Sequence, residues 1–150
     1  MLEFEQKHWI SGKKFIAGID EAGRGPLAGP VVAAAAILPE EWVEDGIPES
    51  LKKLNDSKQL TEKVREDLFS VIEGAPIIEF AVSIVDAEVI DQINILKATH
   101  RAMNDALSQL NPKPHHALVD GNSVKTLAIL QTAIVKGDSK SFSIAAASVL

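Results

Sequence analysis

Cysteine and tyrosine are absent from this 150-residue chain, and its aromatic side chains are confined to five Phe and two Trp. Without thiols there can be no disulfides, iron–sulfur clusters, cysteine zinc sites or thiol catalysis. No apolar run reaches the ~18 residues that a membrane span needs. The opening Met1-Leu2-Glu3-Phe4-Glu5-Gln6-Lys7-His8 lacks the basic-then-apolar layout of a signal peptide. The expected address is therefore the cytosol, with no membrane partner. Positive charge is also scarce: 15 Lys and Arg stand against 21 Asp and Glu, a net charge of −6. That weighs against a protein that grips nucleic acid mainly by releasing counterions. It leaves room for a metal-dependent nuclease, because bound dications offset site carboxylates.

What is present suits a globular fold. The chain is 46% hydrophobic and 24% charged, which argues against disorder and fibres. Its length is that of one domain, residues 1–150, able to bury roughly 16,000 Å² on folding.

The element pattern alternates strands and helices. Phe15 to Ile19 is a short run of β-formers ending at Asp20, and Val31 to Leu38 reads as a second strand paired with it. Between them lies a Gly/Pro-punctuated loop, residues 21–30. Residues 39–57 read as a polar loop, with Trp42 packed down. Thr61 is the expected N-cap of a helix whose stripe is Val64, Leu68, Val71 and Ile72, closed by Gly74. Ile77 to Val85 is a third strand. Asp86 to Leu110 is helical, broken near Asn94, with Ile95, Thr99, Met103, Leu107 and Leu110 on one face. His115 to Val119 and Ala128 to Val135 make the fourth and fifth strands. Ser139 to Leu150 opens a helix capped by Ser139 or Asp138. The apolar Ile144 to Leu150 carries no capping residue at its end, so the chain is expected to be truncated at its C-terminus.

Three strands run into acid: the first into Asp20-Glu21, the fourth into Asp120, the fifth into Asp138. In an α/β sheet, adjacent strand ends open on one crevice. Two unit charges 4 Å apart at an effective dielectric near 20 repel by about 4 kcal/mol. Such a cluster survives if protons are retained or hard cations neutralise it. All-oxygen ligation suits Mg²⁺ or Mn²⁺ rather than zinc, and a pair of such ions serves in-line displacement at phosphorus.

Other motifs lead elsewhere or nowhere. Gly23-x-Gly25-x-x-Ala28 superficially fits a dinucleotide fingerprint. That reading needs a helix directly after the loop, and Pro26, Pro30 and a following strand forbid it. The loop instead offers bare backbone to a ligand, and Arg24 a fork for phosphate. Lys58, in Asp56-Ser57-Lys58, and Lys136 and Lys140 around Asp138 can reach phosphates too. His100, His115 and His116 lack metalloprotease spacing. Ser143 and Ser148 have no His–acid partner.

Taken together, Gly18-Ile19-Asp20-Glu21-Ala22-Gly23-Arg24-Gly25-Pro26-Leu27-Ala28-Gly29-Pro30 resembles the signature of ribonuclease HII. So do Asn55-Asp56-Ser57-Lys58-Gln59-Leu60, Asn94-Ile95-Leu96-Lys97-Ala98-Thr99, Val119-Asp120-Gly121-Asn122, and Lys136-Gly137-Asp138-Ser139-Lys140 followed by Ile144-Ala145-Ala146-Ala147-Ser148. The blocks come in the family's order, and the Gly-Arg-Gly form points to type HII rather than HIII.

The resemblance implies an α/β, ribonuclease H-like fold: a five-stranded mixed sheet flanked by helices. It implies that Asp20, Glu21, Asp120 and Asp138 bind two Mn²⁺ or Mg²⁺ ions. Gly23, Arg24 and Gly25 would recognise the ribose 2′-OH, the group that separates RNA from DNA. Lys58, Asn122 and Lys140 would add substrate contacts. The implied reaction is hydrolysis of RNA in RNA–DNA hybrids, or 5′ to ribonucleotides embedded in duplex DNA, by a monomer. Family members continue beyond position 150, and that part carries a tyrosine that stacks beside the junction. The alternative expectation is thus a truncated, catalytically impaired form that still binds nucleic acid.

Overall fold

Alternation along the first strand decides which helix covers which face. In the computed structural model, residues 2–10, 15–22, 31–39, 51, 61–74, 78–86, 95–111, 113–121, 127, 129–134, 136–137 and 141–148 are described. They form α1 (Glu3–Ile10), β1 (Ile16–Ala22), β2 (Val31–Ile37), α2 (Glu62–Glu73), β3 (Glu79–Val85), α3 (Ile95–Gln109), β4 (His116–Asp120), β5 (Gln131–Ile134) and α4 (Phe142–Ser148). The five strands make one mixed sheet in the order β3-β2-β1-β4-β5. β1 is antiparallel to β2 and β2 to β3, whereas β1–β4 and β4–β5 are parallel. This is the expected ribonuclease H-like sheet.

Period-two alternation splits the core. Ala17, Ile19, Ala33, Ala35, Ala117 and Val119 face α3, packing on Ala98, Ala102, Met103, Ala106 and Leu107. Ala34 and Ala36 face the other way, onto Leu68 and Ile72 of α2 and Ala146 and Ala147 of α4. Ile16, Leu118 and Ile134 continue that second face, meeting Ile144 of α4 and Phe4 and Trp9 of α1. The alanine run of β2, which by propensity alone suits a helix, works as a strand because helices press on both of its faces and small side chains let them approach.

Gly18 marks the closest approach. A Cβ there would overlap the Ser143 carbonyl carbon and the Ile144 nitrogen, both backbone atoms of α4. Only glycine lets α4 lie directly on β1, beside the strand end that carries Asp20.

Several boundaries differ from the sequence reading. β1 continues past Asp20 through Glu21 to Ala22, so Glu21 sits on strand rather than in the loop. Thr61 caps α2 as expected, its hydroxyl accepting from the Val64 N–H at 3.3 Å. Gly74 closes that helix with right-handed backbone, φ −84°, its N–H donating to the Ser70 carbonyl. β5 is shorter than expected, Gln131–Ile134. α4 begins at Phe142, and its cap is Ser141, whose Oγ accepts from the Ile144 N–H at 3.3 Å. The caps anticipated at Asp138 or Ser139 give way because Ser141 is the residue locked in place by tertiary hydrogen bonds. The helix α1 has no counterpart in the sequence reading. Trp42 and the break near Asn94 lie outside the described residues. Among those described, no helix is long and apolar enough to cross a membrane.

Candidate metal centre

Register brings two of the acids together. Parallel β1 and β4 pair Ile19 with Val119, so Asp20 and Asp120 come next, level with each other on neighbouring strands. Adjacent strands lie ~4.8 Å apart and equivalent positions point to one face. That face is the one α4 covers, as Leu118 beside Ile144 shows. The two carboxyl groups are close enough for the charge of one to act on the other.

Asp20 carries the consequence. Burial pushes its pKa from 3.8 up to about 7; the negative charge of Asp120 and, more weakly, that of Glu21 push the same way. The Glu21 backbone N–H opposes this by donating to Asp20 Oδ1 at 2.9 Å. A carboxyl group that holds its proton to neutrality is the mark of anionic oxygens crowded together away from water. Such perturbed groups gather at functional sites.

Asp120 is fixed from a third direction. Its Oδ1 accepts from the Gly137 N–H at 2.8 Å, and the Gly121 N–H donates to the Ile134 carbonyl at 2.9 Å. The end of β4 is thereby tied to β5 and to the turn that leads toward Asp138. Gly121 takes φ +94°, open only to residues that tolerate left-handed backbone. Lys136 also adopts positive φ, 54°, although it has a side chain. Strain of that kind persists where the surroundings over-determine it, as the Asp120–Gly137 bond does here.

Glu21 follows Asp20 on β1, pairing in register with Ala33 of β2, and buries its Oε2. Asp138 lies outside the described residues, as do Gly23, Arg24, Gly25, Lys58, Asn122 and Lys140. Among the described residues no group of three or more His, Asp or Glu is assembled to hold a metal ion. What is assembled is the Asp20–Asp120 pair, with Glu21 the next residue along β1; carboxylate oxygens are the donors that hard divalent cations take.

The described histidines do not gather into a metal site. His116 is buried, with Nε2 2.8 Å from Thr132 Oγ1 and its ring stacked on that of His8 at 3.9 Å. His115 is exposed and its Nδ1 accepts from the Phe15 N–H. Ser143 is no nucleophile in waiting: its hydroxyl and N–H both donate to Glu5 Oε2, at 2.6 and 2.9 Å. Glu5 is the residue the sequence concealed. It is fully buried, and glutamate almost never is unless paired.

Comparison with known proteins agrees with this geometry. Residues 17–150 match the sequence profile of a family described as Ribonuclease HII. The chain is 49% identical over 150 residues to ribonuclease HII of Ruminiclostridium cellulolyticum, covering all of this chain and 56% of that protein. It is 55% identical to ribonuclease HII of Chlorobaculum parvum, covering 99% of this chain and 70% of the other. The chain thus spans between about half and 70% of the length of these curated relatives. Among solved structures, ribonuclease H2 from Pyrococcus horikoshii OT3 superposes with a TM-score of 0.73 at 31% identity, over 90% of this chain and 69% of that one. With its sheet order, its acids at adjacent strand ends and these similarities in accord, the chain belongs to the ribonuclease HII family.

Proposed function

We propose that residues 1–150 form a single catalytic domain of a metal-dependent ribonuclease H, a phosphodiester hydrolase acting on the RNA strand of RNA–DNA hybrids. Cleavage falls on the 5′ side of ribonucleotides, including single ones embedded in duplex DNA, and leaves a 3′-OH. The observation that carries this reading is the registered Asp20–Asp120 pair, with Asp20 holding its proton up to about pH 7.

Asp20, Glu21, Asp120 and Asp138 supply the carboxylate oxygens that hold two Mn²⁺ or Mg²⁺ ions. When bound, such ions lower the pKa of water and offset charge on the leaving oxygen. Asp120 is aimed by the Gly137 N–H. Asp20 releases its proton near neutrality, so metal binding and hydrolysis strengthen from pH 6 to 8. Gly23, Arg24 and Gly25 read the 2′-OH, with backbone groups exposed by the glycines and a guanidinium fork for the neighbouring phosphate. Lys58 and Lys140 reach phosphates, and Asn122 adds a further substrate contact. The chain works in the cytoplasm as a monomer.

A DNA duplex carrying one ribonucleotide tests the proposal. In Mn²⁺ the chain is expected to nick 5′ to the ribose, and Asp20→Asn to lose at least a hundredfold in rate. Intact duplex, or equal cutting by both proteins, would refute it. One observation favours a second reading: the chain spans only 56% of the Ruminiclostridium protein. On that reading it binds the substrate without turnover, and a mobility shift in the absence of any nick would be the result.

A further inference from the structure

The N-terminal helix α1 is tied to the start of α4, more than a hundred residues along the chain. Phe4 and Trp9 pack it onto Ile16, Leu118, Ile134 and Ile144, and the His8–His116 stack pins its far end. This packing carries Glu5 into the interior. Glu5 Oε2 accepts three hydrogen bonds: from Ser141 Oγ at 2.6 Å, Ser143 Oγ at 2.6 Å and the Ser143 N–H at 2.9 Å. Its Oε1 is buried with no hydrogen-bond partner among the described residues. Burying a carboxylate is costly, and a cap for α4 does not require one, because Ser141 Oγ already accepts from the Ile144 N–H.

The hydrogen bonds continue past the serines. The Ser141 N–H donates to the Gly137 carbonyl at 2.8 Å, and the Gly137 N–H donates to Asp120 Oδ1 at 2.8 Å. A continuous path therefore runs from Glu5 through Ser141 and Gly137 to Asp120. Its two anchors, Gly137 and Ser141, are the residues that bracket positions 138–140. Gly18, with no Cβ, seats the same stretch of α4 against β1.

We infer that Glu5 is a positioning residue of the acidic centre: its buried carboxylate fixes Ser141, Ser141 fixes Gly137, and Gly137 holds the Asp120 carboxylate in the direction that binds metal. The inference rests on the metal-dependent reading above and adds a residue that lies outside the 17–150 stretch matched by the family profile. Loss of Glu5 leaves Asp120 on its strand but frees the turn that aims it. The effect therefore falls on metal affinity, beyond any effect on stability.

Mn²⁺ titration of the whole chain, followed by the electron paramagnetic resonance of the free ion at pH 8, tests this alongside the melting temperature of each metal-free protein. Glu5→Ala is expected to raise the Mn²⁺ dissociation constant about tenfold, at the low end of what outer-sphere partners of metal ligands contribute. Glu5→Gln keeps the shape and one acceptor oxygen, and is expected to raise it less. Leu68→Ala, in the core beneath α2, lowers the melting temperature and leaves the dissociation constant unchanged. If Glu5→Ala does not fold, Glu5→Gln and Ser141→Ala carry the test, each expected to weaken Mn²⁺. A parent-like constant in the Glu5 and Ser141 variants overturns the inference alone, as does an equal loss in Leu68→Ala. A parent chain that binds no Mn²⁺ overturns the metal reading and this inference with it.

Discussion

Neutralising Asp20 should stabilise the metal-free protein, and only at the pH where its charge is present. The folded chain keeps this proton to about pH 7, whereas the ordinary value is 3.8. Between those values the native state binds more protons than the unfolded one, so stability falls as pH rises through the interval. About three pH units at 1.36 kcal/mol each give a ceiling of ~4 kcal/mol. Water still reaches this half-buried side chain and screens part of that, which leaves about 2 kcal/mol as the expected effect. Asp20→Asn keeps the shape and removes the charge. Urea denaturation in chelator should find the variant more stable by about 2 kcal/mol at pH 8. The two proteins should be within ~0.5 kcal/mol of each other at pH 3, below the ordinary value of 3.8, where Asp20 is mostly protonated in both states. A difference that is constant across pH, or that grows toward acid, would show that Asp20 does not sit in a crowd of buried carboxylates.

Three further outcomes follow from the same geometry. A divalent ion at a hundredfold excess over its dissociation constant should stabilise the chain by about 2.7 kcal/mol. Because the ion competes with the Asp20 proton, its affinity should rise with pH through about 7 and level off near pH 8; calorimetric titration at pH 6, 7, 8 and 9 checks this. Gly18→Ala should cost on the order of 3 kcal/mol, since its Cβ meets the backbone of α4 rather than a side chain that can swing away. A melting temperature within 2 °C of the parent would mean that α4 is not seated on β1.

The sheet was legible because its strands are short apolar runs ended by Asp, Gly or Pro, and those signals do not depend on distant contacts. Asp20 and Asp120 were legible for the same reason: an acid at the end of a buried strand has few bland explanations once its neighbour ends the same way. The β2 alanines and the start of α4 were harder. Both depend on which helices press on them, and Ser139 and Ser141 are equally good caps until Glu5 selects the second. α1 was not legible at all. Glu3 to Ile10 mixes acids, bases and aromatics without a helical stripe, and its burial is driven by Phe4 and Trp9 finding a surface that β1, β4, β5 and α4 must first build. Glu5 was hidden by the rule that glutamates face water, which holds until several donors converge on one.

Anomalous diffraction from crystals of the chain soaked in Mn²⁺ would test the central claim most directly. Mn²⁺ peaks are expected among the carboxylate oxygens of Asp20, Glu21, Asp120 and Asp138, at the ends of β1 and β4. Peaks only at other surface acids, with no ion between Asp20 and Asp120, would contradict it.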